Sequence, residues 1–114
     1  MPSYLLQVGY TPQAWDTLIR KPQNRLDAVA PAVEQLGGSV TGGWLAFGEY
    51  DLVVIIDLPD NVSAAAFSMA VSAGGTVKAF KTTPLMSMEE AVSAMDLAAE
   101  SVYEPLTAAE TISR

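Results

Sequence analysis

The sequence comprises 114 residues, of which half are apolar, and it carries a formal net charge of −7 with neither cysteine nor histidine. This length predicts one domain, and the missing residue types exclude disulfides, thiolate or imidazole metal ligands and the commonest general base. The acidic charge argues against nucleic acid, whose binding depends on lysine and arginine contacts with phosphate, and no apolar stretch approaches the roughly 20 residues that span a bilayer.

The first third of the chain predicts a strand followed by two helices. Residues 3–10 alternate, with large apolar side chains on one face, namely Tyr4, Leu6, Val8 and Tyr10. Thr11-Pro12 is typical of a helix start. A second helix is predicted over residues 23–36, where apolar residues recur at three- and four-residue spacing, and Gly37-Gly38 is typical of its end. Pro31 inside this helix predicts a kink or a break.

Residues 39–47 and 51–58 predict two further strands, joined by the tetrapeptide Gly48-Glu49-Tyr50-Asp51. A tight turn centred on this tetrapeptide pairs Phe47 with Leu52. In that register the helix-covered face receives Gly43, Leu45, Phe47, Leu52, Val54 and Ile56. The opposite face receives Gly42, Trp44, Ala46, Val53, Ile55 and Asp57. A slip of one residue would exchange the two faces.

The second half adds a helix, a strand and a last helix. Residues 60–73 predict a helix and residues 76–83 a fourth strand. Ser87 and Glu90 form a capping box for a helix with an apolar stripe, Met88, Val92, Met95 and Ala99. The order β-α-β-β-α-β, followed by a C-terminal helix, predicts an α+β, ferredoxin-like fold. Its four-stranded antiparallel sheet has helices on one face, and its first and third strands are central.

The sheet face that no predicted helix covers carries Trp44, Val53 and Ile55. Burying one such side chain is worth about 1.5–3 kcal/mol, and monomers rarely expose a contiguous patch of them. Either the C-terminal helix folds across this face or a second copy of the chain supplies its own sheet. Because two-fold homodimers are the commonest soluble assemblies, we predict a homodimer, or a higher homo-oligomer, with facing sheets.

The segment GWLAFGEYDLVVIIDLPD resembles the GYD-domain family, whose Gly-x-Tyr-Asp signature corresponds here to Gly48, Tyr50 and Asp51. The segments SYLLQVGYTPQ, RLDAVAPAVEQLGGSV and NVSAAAFSMAVSAGGTVKAFKTTP extend the resemblance over residues 2–90. The resemblance implies a dimeric α/β-barrel of the ferredoxin-like superfamily, in which two sheets face each other. It implies no biochemical function.

The tetrapeptide connection is the first candidate ligand site. In the functional interpretation Glu49, Tyr50 and Asp51 line the mouth of a pocket, where the phenol donates a hydrogen bond and a carboxylate accepts one. In the structural interpretation Gly48 supplies the dihedral angles of the hairpin, Asp51 accepts hydrogen bonds from turn amides, and Tyr50 packs at the tip.

The uncovered sheet face is the second candidate site. The candidate ligand-binding residues there are Gln7, Gly9, Trp44, Asp57 and Lys78. A glycine leaves room for a ligand and polar groups orient it, as binding pockets require. The alternative is an interface with a few satisfied polar groups, including a bridge between Lys78 and Asp57.

Charged residues elsewhere form two groups. Arg20, Lys21 and Arg25 are a basic cluster that either holds an anion or faces water. The sequence from Thr82 onward has a single basic residue, Arg114. Its acidic residues are Glu89, Glu90, Asp96, Glu100, Glu104 and Glu110. This acidic segment is either a solvated helix face or a docking surface for a basic partner.

These observations predict a small homo-oligomeric module that binds a small molecule or serves as an assembly unit, without a metal or a cofactor. The alternative is a cofactor-independent oxygenase or isomerase of the related barrel fold, using Tyr50 or Asp51 with Trp44 shaping the cavity. No basic-then-apolar export signal opens the chain, so we expect a cytoplasmic location. We expect residues 1–90 to form the GYD-like domain and residues 91–114 a helical extension packed on that domain or on a partner.

Overall fold

The structure, a computed structural model, describes residues 1–112 of the chain. This part is α+β and contains four strands and five helices. In chain order they are β1 (Ser3–Tyr10), α1 (Pro12–Arg20), α2 (Leu26–Gln35), β2 (Ser39–Leu45), β3 (Leu52–Asp57), α3 (Asn61–Ala73), β4 (Val77–Leu85), α4 (Met88–Glu100) and α5 (Ala108–Ile112). The last two residues of the predicted extension, 113 and 114, lie outside the described residues.

The four strands form one sheet in the order β2-β3-β1-β4, and each pair of neighbours is antiparallel. The predicted four-stranded antiparallel sheet is therefore confirmed, with β1 and β3 at its centre. Buried and less buried residues alternate throughout β3 and from Ser3 to Val8 in β1, as in strands with one covered face. The sheet thus has one face in the core and one outside it.

Helices α1, α2 and α3 cover the core face of the sheet. The core strands contribute the buried side chains Tyr4, Leu6, Val8, Tyr10, Leu52, Val54 and Ile56, and Leu58 follows β3. The three helices contribute Ala14, Val33, Ala64 and Phe67. Helix α1 begins at the predicted cap, where the Thr11 hydroxyl accepts the Ala14 amide at 3.1 Å. Helix α2 continues through Pro31, so it is not broken there, and Gly37 ends it with a φ of 89°.

The hairpin between β2 and β3 has a different register from the predicted one. Leu45, not Phe47, pairs with Leu52, and Trp44 pairs with Val53. The strands pair two residues away from the predicted register, which leaves the paired residues Gly42 to Leu45 on their predicted faces because strand side chains alternate with period two. Phe47, predicted on the helix-covered face, is not on that face: it lies beyond the end of β2 and is 98% exposed. Residues 46–51 connect the two strands. Within this connection the Asp51 carbonyl accepts the Ala46 amide at 2.7 Å, and the Asp51 amide donates to the Val8 carbonyl of β1 at 2.8 Å.

The pair Gly42-Gly43 in β2 explains how the two faces of this edge strand are packed. A Cβ atom on Gly43 would lie 2.6 Å from the Leu26 Cδ2 atom of α2, on the helix-covered side. A Cβ atom on Gly42 would lie 2.8 Å from the Trp44 ring. The first glycine lets a helix approach the sheet closely, and the second lets the indole ring lie flat along the strand.

Helix α4 has its predicted capping box, with the Ser87 hydroxyl accepting the Glu90 amide at 3.0 Å. No side chain of α4 is buried within the chain, and Met95 is 64% exposed. The Cα radius of gyration is 18.5 Å, whereas a compact chain of this length has about 13 Å. The helix therefore extends away from the sheet and its covering helices, and its packing on a partner stays a prediction.

Candidate functional site

The sheet face opposite α1–α3, which we call the open face, carries rows of side chains that cross all four strands. One row runs across β2, β3, β1 and β4 and consists of Trp44, Val53, Gln7 and Lys81. The next row consists of Gly42, Ile55, Leu5 and Thr83. Trp44 is 58% exposed although its ring lies along Gly42. The open face is therefore apolar at its β2–β3 side and basic at its β4 edge.

At one end of the open face lies a concave surface of about 370 Å³, the turn cleft. It is lined by Gln7, Ala46, Phe47, Gly48, Glu49, Tyr50, Val53 and Lys81. The cleft thus brings together three predicted site residues, Gln7, Glu49 and Tyr50. It also contains Lys81, which was not among the predicted residues. The lining thus includes residues with an amide, a carboxylate, a phenol and an ammonium group beside the apolar Ala46, Phe47 and Val53.

Lys81 was missed because β4 contains an irregularity. In a regular strand residues 78 and 81 point to opposite faces, so the placement of Lys78 on the open face excluded Lys81 from it. The register between β1 and β4 shifts between Gly9 and Tyr10. The Lys78 Cε atom lies 3.4 Å from the position of a Cβ on Gly9, while Lys81 pairs with Gln7. The irregularity therefore places both lysines along the open face.

Asp51 points away from the turn cleft. Its side chain is buried, and its Oδ2 atom accepts a hydrogen bond from the Tyr10 amide at 2.8 Å. Its carbonyl accepts from the Ala46 amide at 2.7 Å. The carboxylate therefore joins the hairpin to the end of β1, in place of the turn amides that the structural interpretation predicted.

Gly48 does not have the conformation that we predicted for it. Its φ angle lies outside the left-handed region, and a Cβ atom placed on it would meet no atom within 4 Å. The prediction that Gly48 supplies unusual dihedral angles is wrong, because the connection spans six residues and needs no left-handed position there. Phe47 beside it is 98% exposed.

Asp57 and Lys78 lie at opposite ends of the open face. The Ser3 hydroxyl donates to Asp57 Oδ1 at 2.5 Å, whereas Lys78 lies beside Gly9 at the other end of β1. In residues 1–112 the ion pair is between Arg20 and Asp16, at 3.3 Å. The predicted bridge between Lys78 and Asp57 is therefore not formed within the described part of one chain.

A second concave region lies on the helix-covered side, between α1, the start of α2 and the sheet. Three adjoining cavities of about 350, 370 and 220 Å³ share Tyr10 and Arg25. We call this region the Arg25 pocket, lined by Tyr10, Trp15, Leu18, Gln23, Arg25 and Leu26. The rings of Tyr10 and Trp15 meet edge to face, with centroids 5.7 Å apart.

The positive charge of the Arg25 pocket comes from Arg25, which the sequence analysis grouped with Arg20 and Lys21 in a basic cluster. The structure separates that cluster: Arg20 pairs with Asp16, Lys21 is exposed, and Arg25 is half-buried. The Arg25 Nη1 atom donates to Gln23 Oε1 at 2.6 Å. Burial raises the pKa of the Tyr10 phenol, and the nearby Arg25 guanidinium opposes that rise.

The family model described as GYD domain matches residues 4–95, from β1 into α4. This chain belongs to the GYD domain family. No curated protein matches it. Among solved structures, the crystal structure of FFRP-DM1 is similar, with 13% sequence identity, a TM-score of 0.48, and coverage of 75% of this chain and 100% of that one.

In this GYD domain the residues of the family signature lie in two different environments. Tyr50 lines the turn cleft, while Asp51 fixes the hairpin to β1. The predicted candidates therefore divide: Gln7, Glu49 and Tyr50 share the cleft, Trp44 lies in the same row as Gln7, Gly9 lies beside Lys78, and Asp57 is distant. In the described part of the GYD domain, no helix is long and apolar enough to cross a membrane.

Proposed function

We propose that this GYD domain is a ferredoxin-like homodimer whose two open faces pack against each other and whose turn clefts bind a small molecule at the interface. The strand order β2-β3-β1-β4, with α1–α3 on one side, supports the ferredoxin-like description. Its open face has no covering element within the described chain, and a second copy brings a face of the same kind.

The observation that carries this proposal is the amount of surface that one chain exposes. The accessible surface is 8189 Å². A compact monomer of 12.1 kDa exposes roughly 6,000 Å². The surplus of roughly 2,000 Å² exceeds the ~800 Å² that each partner contributes to a stable interface of standard size. Part of the surplus belongs to α4, which buries no side chain within the chain, so a second copy must cover α4 as well as the open face to remove it from water.

The identity of the occupant is supported by the charges of the chain itself. The edge strand β4 presents Lys78 and Lys81, two of the six basic residues. Helix α4 carries Glu89, Glu90, Asp96 and Glu100 and projects from the end of the same strand. It is about 20 Å long at 1.5 Å per residue. In a two-fold dimer the acidic helix of each copy reaches the basic strand of the other, and its apolar stripe, including Val92 and Met95, is covered.

Dimerisation also completes the turn cleft. In one chain the cleft is open to solvent, and its polar residues surround Val53 at the centre of the sheet. A partner sheet placed over Val53 closes the cleft on its open side. A small polar ligand then meets the amide of Gln7, the carboxylate of Glu49 and the ammonium of Lys81 in a site with less water.

The test compares two valine-to-aspartate variants by sedimentation velocity at micromolar concentration. Val53→Asp places a charge in the middle of the open face, whereas Val62→Asp places it on the exposed side of α3. We expect the natural chain and Val62→Asp to sediment as dimers and Val53→Asp to sediment as a folded monomer. If Val53→Asp does not fold, Trp44→Gln on the edge strand provides the same comparison. A natural chain that is monomeric, or an open-face variant that stays dimeric, contradicts the proposal.

The contacts of the chain do not favour the enzymatic alternative. That alternative requires Asp51 or Tyr50 as the reactive group and Trp44 as a wall of the cavity. The Asp51 carboxylate accepts the Tyr10 amide, and Trp44 does not line the turn cleft that contains Tyr50. No contact within residues 1–112 therefore favours a catalytic role for these three residues.

A further inference from the structure

The Arg25 pocket combines a cation with apolar walls on the side of the sheet that the dimer does not use. Its more apolar part, about 350 Å³, is lined by Trp15, Leu18, Ile19, Leu26 and Leu52 among others. An adjoining part of about 370 Å³ contains more polar groups, including Thr11, Thr17 and Gln23. Arg25 and Tyr10 line both parts. A ligand in the apolar part therefore has the Arg25 side chain beside it, where the two parts adjoin.

The guanidinium of Arg25 lacks a carboxylate partner in the described part of the chain. The sequence contains 13 acidic and six basic residues, so a half-buried arginine without an acidic neighbour is unexpected here. Within residues 1–112 the ion pair is formed by Arg20 and Asp16. Arg25 instead interacts with neutral groups: it donates a hydrogen bond to Gln23, and it is a side-chain hydrogen-bond partner of the Tyr10 phenol. A guanidinium has five N–H donors, so several remain for a ligand.

The Asp51 carboxylate is already engaged. It accepts the Tyr10 amide at 2.8 Å. Besides burial, its charge raises the pKa of the Tyr10 phenol, while that of Arg25 lowers it. Asp51 therefore fixes the strand that carries Tyr10, and it forms no ion pair with Arg25 within residues 1–112. One unpaired cation matches a monoanion better than a phosphate dianion, whose sites gather several cations or backbone amides.

We propose that the Arg25 pocket binds a small monocarboxylic acid with an aromatic or branched aliphatic body. Arg25 pairs with the carboxylate through two parallel N–H donors, since guanidinium and carboxylate groups match in this geometry. Trp15, Leu18 and Leu26 contact the apolar body of the acid. The volume of the apolar part, about 350 Å³, lies within the range of roughly 300–1,000 Å³ that is usual for ligand sites. This site is separate from the turn cleft and does not depend on the dimer.

The test uses isovalerate, phenylacetate and indole-3-acetate as probes, with phenylacetamide as the uncharged match for phenylacetate. Binding is followed by amide and side-chain NMR of the full chain at millimolar probe concentration. We expect at least one acid to shift the signals of Tyr10, Trp15 and Arg25, and phenylacetamide to bind at least about tenfold more weakly than phenylacetate. The amide probe needs no variant, so its result does not depend on the folding of a mutant.

Two variants make the assignment specific to Arg25. Arg25→Gln is expected to weaken binding of the acid at least about tenfold, whereas Lys21→Gln, which changes an exposed cation outside the pocket, leaves binding unchanged. The proposal is overturned if none of the three acids binds, if Arg25→Gln binds as well as the natural chain, or if the shifted signals belong to Gln7, Glu49 and Lys81. The last outcome assigns the acid to the turn cleft.

Discussion

Ile55 and Ile56 are neighbours in β3, yet the structure treats them differently. Ile56 faces the helices and is 0% exposed, whereas Ile55 faces the other way and remains partly accessible. The same holds across the sheet: Val54 lies in the core and Val53 on the open face. Residues of the same type therefore occupy both faces, and what distinguishes the faces is that one has a cover within the chain. This difference supports the proposal that a second copy of the chain covers the open face.

The largest expected effect on stability comes from truncating Ile56, with the truncation of Ile55 as the comparison. Ile56→Ala removes a fully buried side chain and should lower the free energy of unfolding by about 2–5 kcal/mol. Ile55→Ala should lower it by less than about 1 kcal/mol in the isolated protomer but should raise the dissociation constant of the dimer. Denaturant unfolding measured over a range of protein concentrations separates the two effects. Equal losses that do not depend on concentration would show that the open face is part of the protomer's own core.

The adjacent glycines of β2 give a second comparison across the sheet. Gly43→Ala places a methyl group against Leu26, which packs on the core, and overpacking of this kind costs about 1–3 kcal/mol of unfolding free energy. Gly42→Ala meets the ring of Trp44, which is free to move because it is exposed. We expect the Gly42→Ala protomer to be nearly as stable as the natural protomer. We also expect this variant to weaken the dimer by displacing Trp44. Thermal unfolding and sedimentation of both variants check this order.

The faces of the strands could be predicted from the sequence because alternation is a local property. The hairpin register was wrong by two residues, and the faces of the paired residues were still correct, because a shift of two preserves the alternation. Phe47 was predicted on the covered face but lies beyond the end of β2 and is exposed. The register itself depends on the contacts of Asp51 with Val8 and Tyr10 in β1, which are distant in the sequence. The pattern of the hairpin segment contains no information about these contacts.

The candidate sites were less predictable for the same reason. The position of Lys81 depends on the irregularity between β1 and β4, and the Arg25 pocket depends on how the α1–α2 connection lies over β2. The capping box of α4 is local and was predicted from Ser87 and Glu90. Sequence patterns thus predicted the elements and their apolar sides, whereas the sites arise where distant elements meet.

The smallest expected effect is a pH dependence of the unfolding free energy, which arises from Tyr10 on the helix-covered face of the sheet. Burial raises the pKa of Tyr10 above its ordinary value near 10, so the unfolded chain ionises this phenol at a lower pH than the folded chain does. The stability from the neutral phenol is therefore complete below pH 10 and is lost as the pH rises through the higher pKa of the folded state. Tyr10→Phe should show a shallower loss of unfolding free energy above pH 10 than the natural chain. Tyr103→Phe, in the exposed C-terminal segment, is the control and should follow the natural chain. If Tyr10→Phe also follows it, burial by the helices does not control the ionisation of Tyr10, and the contrast between the two faces does not extend to their electrostatics.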